Sequence, residues 1–311
     1  MRALFNRCVS LFFATCFCLS SAWAQTFTFA AIGDVPYGPV DDLAQLVDKL
    51  NQKPIAFTIH VGDIKSGGSL CTDKIFLDVK AQFDRFDQPL IYTPGDNEWT
   101  DCHRFSNGSY DPLERLEKIR SLFFSQPQSL GKRPIAMLTQ SAQPNFSRFV
   151  ENRRWVFGRV SFATLHLVGS NNNFQPELAS SIEFAARNEA NIAWMRETFA
   201  KAKDRGDIAV VLAMQADTFY GNTSKTDSGF TKWLSAFEIE ARAWNKPVLL
   251  IQGDTHNFTV DHPLKNADGK VLTNVTRLVV HGALHVNGSL IDVNESNLLE
   301  PFTLRSLITA N

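Results

Sequence analysis

Ile91-Tyr92-Thr93-Pro94-Gly95-Asp96-Asn97-Glu98 is the stretch around which this chain is organised. An apolar strand, predicted over 90–92, runs into a Pro-Gly turn and then presents an aspartate, an asparagine and a glutamate. Hard and borderline cations take carboxylate and amide oxygens as ligands. Open α/β sheets bind their ligands at loops of this kind, which follow the C-terminal end of a strand. Taken alone, however, the octapeptide is also ordinary turn chemistry.

Three further apolar stretches end in the same dipeptide. They lead into Gly33-Asp34, Gly62-Asp63 and Gly253-Asp254, and His256 follows the last of these by two residues. For any single aspartate, a role as turn former or helix cap is the simpler interpretation. For four aspartates that each follow a strand, a shared metal site is the better interpretation.

Hydrophobic periodicity predicts alternating strands and helices along most of the chain. The predicted strands are 26–32, 55–61, 90–92, a pair within 155–168, 208–214 and 247–251. The predicted helices are 40–52, 72–86, 111–124, 182–203 and 230–244. Residues 125–154 show no clear period and are expected to form a surface excursion, and 271–307 is expected to be β-structure with polar turns. This order predicts an α/β fold.

Length and charge set limits on size and partners. The 311 residues carry a formal net charge of -1, so bulk charge gives no indication of nucleic-acid or polyanion binding. No internal repeat and no low-complexity linker is present, which favours one domain over residues 25–311. Oligomeric state is left open.

The N-terminus has the features of a signal peptide. Arg2 and Arg7 are followed by an apolar run from Val9 to Leu19 that is too short to span a bilayer. Ala22-Trp23-Ala24 supplies a cleavage site, so residues 1–24 are predicted to be removed. The expected protein is secreted or periplasmic and has no membrane span after cleavage. An uncleaved N-terminal anchor is the alternative.

The cysteine count changes with that cleavage. Cys8, Cys16 and Cys18 are lost with the signal peptide, which leaves Cys71 and Cys102. An even pair in an oxidising compartment predicts a disulfide. A metal site built on these two cysteines is disfavoured because two more soft ligands are missing.

Parallel strands would bring all these loops to one edge of the fold. Several carboxylates gathered there repel each other and raise each other's pKa values unless a cation neutralises them. Two divalent metals that share one carboxylate resolve the conflict, and they create the clamp used for phosphate ester hydrolysis.

The order Gly-Asp, Gly-Asp, Pro-Gly-(Asp/Asn)-x-Glu and Gly-x-x-His resembles the calcineurin-like metallophosphoesterases, which include the purple acid and Ser/Thr phosphatases. The resemblance spans about 27–261. It implies a two-sheet β-sandwich flanked by helices and a dinuclear Mn, Fe or Zn centre. It also implies that Asp34 and His256 bind the first metal, that Asp63 bridges both, and that Asp96 takes the position of the family's asparagine ligand.

The chain departs from that pattern at four positions. Pro36 stands where the family commonly has a histidine, which purple acid phosphatases also lack. The other replacements are Asn97, Gln215 and Asp254. The predicted metal ligands are therefore Asp34, Asp63, Asp96, Asn97, Gln215, Asp254 and His256. Fewer imidazoles and more oxygen ligands favour Mn or Mg.

With Asn97 at this position, the chain lacks the family's histidine, which would assist the leaving group or bind the substrate phosphate. His103 could replace this acid and Arg104 could bind phosphate, if a disulfide holds their loop over the site. A solvent-exposed polar loop is the alternative for both residues. Residues 170–173 are interpreted as an asparagine-rich turn, His281 and His285 as structural residues, and His60 as a buried strand residue.

The resulting hypothesis is an exported enzyme that hydrolyses phosphate mono- or diesters of small molecules through a metal-activated hydroxide. The catalytic candidates are His103, Asn97 and Arg104. The alternative is a non-catalytic binding or cell-surface protein that has kept the fold and lost the chemistry through the same replacements.

Overall fold

The computed structural model describes residues 26–175, 180–221 and 228–308. The expected signal peptide at 1–24 lies outside these residues. The strands are β1 (Thr26–Ile32), β2 (Thr58–His60), β3 (Leu90–Tyr92), β4 (Leu138–Thr139), β5 (Arg153–Phe157), β6 (Val160–Thr164), β7 (Ala209–Ala213), β8 (Val248–Gln252), β9 (Thr259–Asp261), β10 (Val275–Val279), β11 (Ser289–Asn294) and β12 (Phe302–Ser306). The helices are α1 (Val40–Asn51), α2 (Asp73–Phe83), α3 (Pro112–Phe123), α4 (Gly169–Asn172, a single turn with left-handed backbone), α5 (Ser180–Arg205) and α6 (Thr231–Trp244).

The strands form two sheets. The first has the order β12-β11-β1-β2-β3, and the second has the order β4-β5-β6-β7-β8-β10-β9. In the first sheet β1, β2 and β3 are parallel. In the second sheet β6, β7, β8 and β10 are parallel. Helical crossovers join β1 to β2 to β3 and β6 to β7 to β8, as the alternation of strands and helices in the sequence predicts. The connection from β8 to β10 contains the edge strand β9 instead.

The two sheets pack face to face around an apolar core. Phe29 and Ile59 of the first sheet and Phe162 and Leu249 of the second belong to one buried cluster. Helices cover the outer faces: α1 and α2 pack on the first sheet, and α5 and α6 pack on the second. The predicted two-sheet sandwich flanked by helices is confirmed.

Burial explains the sequence patterns of individual elements. Every residue of β7 is buried, because the strand is covered on one face by the other sheet and on the other face by helices. Helix α1 buries Leu43, Leu46, Val47 and Leu50, which lie on one face at helical spacing. Asp111 caps the N-terminus of helix α3, since its side chain accepts hydrogen bonds from the backbone N–H groups of Leu113 and Glu114.

Two regions differ from the sequence-based expectation. The strand β9 was not predicted, since it has only three residues, of which two are half-buried and Val260 is exposed, and so it carries little periodic signal. The stretch 125–154 contains the short strand β4 and two 3₁₀ turns, Gln140–Ala142 and Pro144–Phe146, and the strand β5 begins at Arg153. Elements this short fall below the window over which periodicity can be recognised.

A disulfide joins the loop before α2 to the loop after β3. Cys71 and Cys102 are bonded with their Cα atoms 5.8 Å apart, so the predicted pairing is confirmed. Both cysteines are fully buried. Arg115 of α3 donates a hydrogen bond to the carbonyl oxygen of Cys71 and pairs with Asp73, which ties the crosslink to two helices.

Among the described residues, no helix combines the length and the apolar character needed to cross a membrane.

The crosslink should contribute substantially to stability. Closing a loop across a sequence separation of 31 residues restricts the unfolded chain, so replacing both cysteines by serine should lower the free energy of unfolding by about 3–4 kcal/mol. Urea denaturation of the variant beside wild type and a Ser69→Ala control measures the difference. Labelling of both cysteines by a thiol reagent in native, non-reduced protein would contradict the bond.

Candidate metal centre

Three of the predicted ligands follow neighbouring strands. Asp34, Asp63 and Asp96 come after β1, β2 and β3, which lie side by side in that order. Parallel strands end at one edge of a sheet, so the three carboxylates form a row there. All three side chains are buried, with exposed fractions of 0%, 2% and 5%.

The second sheet contributes Asp254 and His256 to the same edge. Both residues follow β8, and the backbone N–H of Asp254 donates to Oδ1 of Asp34 at 2.9 Å. His256 Nε2 lies 3.4 Å from the same oxygen. The hydrogen bond of this histidine to Asp34 raises the pKa of His256 above its usual value. The two sheets therefore meet at the candidate site.

The backbone at this edge adopts a conformation that non-glycine residues rarely use. Asp34, Asp63, Asp254 and His256 have φ values of 51°, 56°, 72° and 60°. Such left-handed residues cluster at functional sites, where the surrounding structure holds them. Gly95 is required for close approach, since a Cβ atom there would lie 2.0 Å from Oδ1 of Asp63.

Asp34, Asp63 and His256 form the one group of at least three potential ligand residues found among the described residues. Their candidate ligand atoms all lie within 4.8 Å of one another. Asp34 is wholly buried and its Oδ2 atom has no hydrogen-bond partner. A buried carboxylate oxygen without a partner is costly unless a cation satisfies it.

Tyr37 is a site residue that the sequence analysis missed. Its hydroxyl donates to Asp63 Oδ2 at 2.6 Å and lies 3.1 Å from His256 Nε2. Burial and the nearby carboxylates of Asp63 and Asp34 raise the pKa of Tyr37. The available signal was a phenol three residues after the first Gly-Asp, but its meaning depends on contacts with residues far along the chain.

A second group of oxygens surrounds Gly169. A Cβ atom at this glycine would lie 2.6 Å from Asp254 Oδ1 and 2.8 Å from Asp96 Oδ2, so both carboxylates lie against its backbone and only glycine fits there. The Oδ1 atom of Asp96 is buried without a partner. Gln215 is also here, accepting from Gly169 N at 2.5 Å and reaching Asp254 Oδ1 with its Nε2 atom at 3.4 Å.

Asn97 contacts the row through its nitrogen atoms. Its Nδ2 donates to Asp63 Oδ2 at 2.7 Å and to the Tyr37 hydroxyl at 2.6 Å, and its backbone N–H donates to Asp63 Oδ1. In this orientation the amide supports Asp63. Its oxygen could serve as the predicted ligand only if the amide turned over.

Burial and mutual repulsion make the carboxylates reluctant to ionise together. Burial raises the pKa values of Asp34 and Asp63, and for Asp63 the neighbouring Asp96 and Glu98 add to the shift. Burial, with Asp96 and Asp34 nearby, raises the pKa of Asp254 to about 7. This is the electrostatic arrangement that a bound cation reverses.

The other predicted residues have the following places. His103 is exposed, and its Nδ1 lies 2.7 Å from the carbonyl oxygen of Thr100. Arg104 pairs with Asp101 at 2.6 Å and donates to the hydroxyl of Ser170 at 3.3 Å, so it stands at the rim. His60 is buried in β2 and accepts a hydrogen bond from Gly62 N through Nδ1, as expected for a structural residue.

Comparison with solved structures gives a match at fold level. The structure of PhoD aligns with a TM-score of 0.54 and 13% identity over 90% of this chain and 68% of that chain. Purple acid phosphatase PPD1 from seeds of yellow lupin (Lupinus luteus) aligns with a TM-score of 0.45 and 11% identity, over 91% of this chain and 54% of that chain. A phosphatase from Mycoplasma pneumoniae aligns with a TM-score of 0.45 and 12% identity, over 91% of this chain and 94% of that chain.

The chain has the calcineurin-like metallophosphoesterase fold. No protein-family model matches it, and no curated protein sequence does so significantly. At this level of identity the likeness establishes the fold and leaves the activity to be argued from the site.

The residues fit the cations that the metallophosphoesterase fold implies. Asp34 Oδ2 and Asp96 Oδ1 are buried oxygens with no partner, and they lie at the two ends of the row with Asp63 between them. The donor set is almost entirely carboxylate and amide oxygen, with His256 as the one imidazole in the cluster. Such a set suits hard divalent ions.

The hydroxyl of Tyr37 should matter for cation binding. Tyr37→Phe removes the hydrogen bond that orients Asp63, so the dissociation constant for Mn²⁺ should rise by about 10- to 100-fold, as for other residues that orient a ligand. Titration of the apo protein measures it. Tyr110→Phe, at a half-buried tyrosine outside the row, is the matched control, and equal affinity of all three proteins would show that Tyr37 plays no part.

Proposed function

We propose that this chain is an exported, metal-dependent phosphoesterase that hydrolyses phosphate mono- or diesters of small molecules at a dinuclear centre. The observation that carries the proposal is the convergence of Asp34, Asp63 and His256 within 4.8 Å at the edge where both sheets end. The fold, which it shares with PhoD, is compatible with that chemistry.

The two cation positions follow from the order of the strands. Asp34 and His256 would hold the first cation, and Asp96 and Asp254 would hold the second. Asp63 follows the middle strand β2, and it is therefore the carboxylate that can reach both. Gln215, which follows the neighbouring strand β7, contacts Asp254 through its Nε2 atom; as a ligand of the second cation it would use Oε1, which also accepts from Gly169 N. Mn²⁺ and Mg²⁺ suit this oxygen-rich set.

Bound cations would supply charge for the phosphate oxygens and activate water for attack on phosphorus. The chain's own residues have three further tasks. Arg104 stands half-exposed at the rim, where a guanidinium can bind phosphate oxygens in a bidentate manner. Asn97 holds Asp63 in place. His103, on the same short helix as Cys102, is the candidate proton donor to the leaving group.

Export is supported by two observations of different kinds. The first 24 residues have the pattern of a signal peptide. A disulfide between buried cysteines is typical of an oxidising compartment. Both agree with a secreted or periplasmic protein.

The proposal can be tested directly on the chain from residue 25 onward. Metal analysis should find about two divalent ions per chain, and a panel of phosphate monoesters and diesters should reveal hydrolysis that chelation abolishes and Mn²⁺ or Mg²⁺ restores. Protein that binds no ion and cleaves no ester with Mn²⁺, Mg²⁺, Zn²⁺ or Fe would instead support the non-catalytic binding protein.

Asp63 should be the most sensitive position. Asp63→Asn keeps the shape of the side chain but removes the charge shared by two cations, so it should reduce the bound metal to at most about one ion and lower hydrolysis by more than about 100-fold. Metal analysis, kinetics and circular dichroism should show this on a folded protein. Asp84→Asn, at an exposed aspartate of the salt bridge with Lys80, is the control. An unchanged number of metal ions per chain in Asp63→Asn would contradict the assignment of Asp63 as the ligand shared by both cations.

The role of His103 as a proton donor can be tested by varying the leaving group of the ester. If it donates a proton, His103→Ala should slow the hydrolysis of alkyl phosphates by about 100-fold or more while changing that of activated aryl phosphates little, because their leaving groups need no acid. Steady-state kinetics on a matched pair of esters measures the ratio. Equal losses on both substrates would make His103 a positioning residue, and no loss on either would exclude it from the reaction.

A further inference from the structure

The turn that follows β6 has a backbone rarely found in proteins. Ser170, Asn171, Asn172 and Asn173 all have positive φ values, between 49° and 55°. L-residues usually visit this left-handed region one at a time. A run of four must be held by its surroundings, and such strained segments concentrate at functional sites.

A buried arginine holds the turn from one side. Arg187 of α5 is fully buried and donates to the side-chain and backbone oxygens of Asn172. It also pairs with Glu183, which accepts a hydrogen bond from Asn173 Nδ2 at 3.0 Å. Gly229 holds the other side, since its carbonyl oxygen accepts from Asn172 Nδ2 at 3.2 Å. These contacts fix the turn to two other segments of the second sheet's helical layer.

The turn presents one hydroxyl to the metal centre. Ser170 Oγ lies 2.7 Å from Asp96 Oδ2 and 2.9 Å from Asp101 Oδ1. A hydroxyl has a single proton, so it can donate to one of these carboxylates. Asp101 already has the guanidinium of Arg104 at 2.6 Å. That ion pair is made through Asp101 Oδ2 and offsets the charge of Asp101, and Asp96 Oδ2 is the closer acceptor, so the proton of Ser170 is assigned to Asp96.

This hydrogen bond decides which oxygen of Asp96 is left for a cation. With Oδ2 bound by Ser170, the carboxylate cannot rotate freely, and Oδ1 stays buried without a partner. The preceding residue, Gly169, shapes the surroundings of Asp96 in two further ways. Its N–H donates to Gln215 Oε1, and its missing side chain lets Asp254 Oδ1 and Asp96 Oδ2 lie against its backbone.

We infer that the Gly169–Asn173 turn is the positioning element of the second cation position, with Ser170 as the residue that orients Asp96. The inference rests on the proposed function and adds to it a residue from outside the Gly-Asp loops. Ser170 does not ligate the cation in this arrangement, because its hydroxyl is engaged by carboxylates and by Arg104.

The test is Mn²⁺ binding to apo wild type, Ser170→Ala, Ser170→Gly, Asp96→Asn and the double variant Ser170→Ala/Asp96→Asn. Loss of the hydroxyl should weaken binding of the second Mn²⁺ by about 10- to 100-fold and leave the first unchanged. Glycine tolerates the left-handed backbone better than alanine. Equal loss of affinity in Ser170→Ala and Ser170→Gly would therefore assign the effect to the hydroxyl. In the Asp96→Asn background, Ser170→Ala should add nothing, because the two residues act as one unit.

An EPR spectrum supplies a readout independent of activity. A magnetically coupled pair of Mn²⁺ ions gives a spectrum distinct from that of isolated ions, and the pair signal should be lost in Ser170→Ala at concentrations that fill wild type. Ser235→Ala, in which the lost hydroxyl belongs to α6 and contacts Thr231, is the control.

The outcomes separate this inference from the proposed function. Wild type with two Mn²⁺ ions and a Ser170→Ala variant with the same affinities and the same pair signal would overturn the role of the turn alone. Additive losses in the double variant would also overturn it, since Ser170 would then act independently of Asp96. Wild type that binds no Mn²⁺ would overturn both proposals together.

Discussion

Repulsion between buried carboxylates is the constraint on which the rest of the site depends. Burial raises the pKa values of Asp34, Asp63 and Asp254, and the neighbouring carboxylate of Asp96 raises each of them further. A folded chain can hold such a group if the backbone fixes it and if protons or a cation neutralise it. The sandwich supplies the first condition by ending its parallel strands at one edge, and the free oxygens of Asp34 and Asp96 indicate how the second is met.

The scaffold restrains these side chains through backbone donors and buried polar groups. Glu98 illustrates the principle: its Oε1 accepts from the backbone N–H groups of Asp63 and Gly95 and from the hydroxyl of Tyr92. One fully buried carboxylate thus couples the loop after β2 to the loop after β3. Burial raises the pKa of Glu98 to about 7. The disulfide from Cys71 fixes the far end of the second of these loops.

The sequence revealed the parts of this site that depend on local patterns. Apolar strands that end in Gly-Asp can be recognised residue by residue, and the order of strands and helices then places Asp34, Asp63 and Asp254 at one edge. Tyr37 and Ser170 could not be found in this way. Their partners, His256 and Asp96, are separated from them by 219 and 74 residues, so only the packed structure brings them together. The asparagines after Ser170 read as an ordinary turn, and nothing local distinguishes a turn aimed at a carboxylate from one exposed to solvent.

The same reasoning explains why the loss of histidines need not abolish cation binding. Replacing imidazole by carboxylate or amide, as Asp254 and Gln215 do, exchanges a neutral nitrogen ligand for oxygen and, at Asp254, adds negative charge. The added charge increases the repulsion that a cation must relieve, and the harder donors shift preference from Zn²⁺ toward Mn²⁺ and Mg²⁺. Harder cations in turn depend more on ligand geometry, since Mg²⁺ demands a near-octahedral arrangement. A site of this kind therefore needs residues that hold carboxylates in fixed orientations, which is what Tyr37 does for Asp63 and Ser170 does for Asp96.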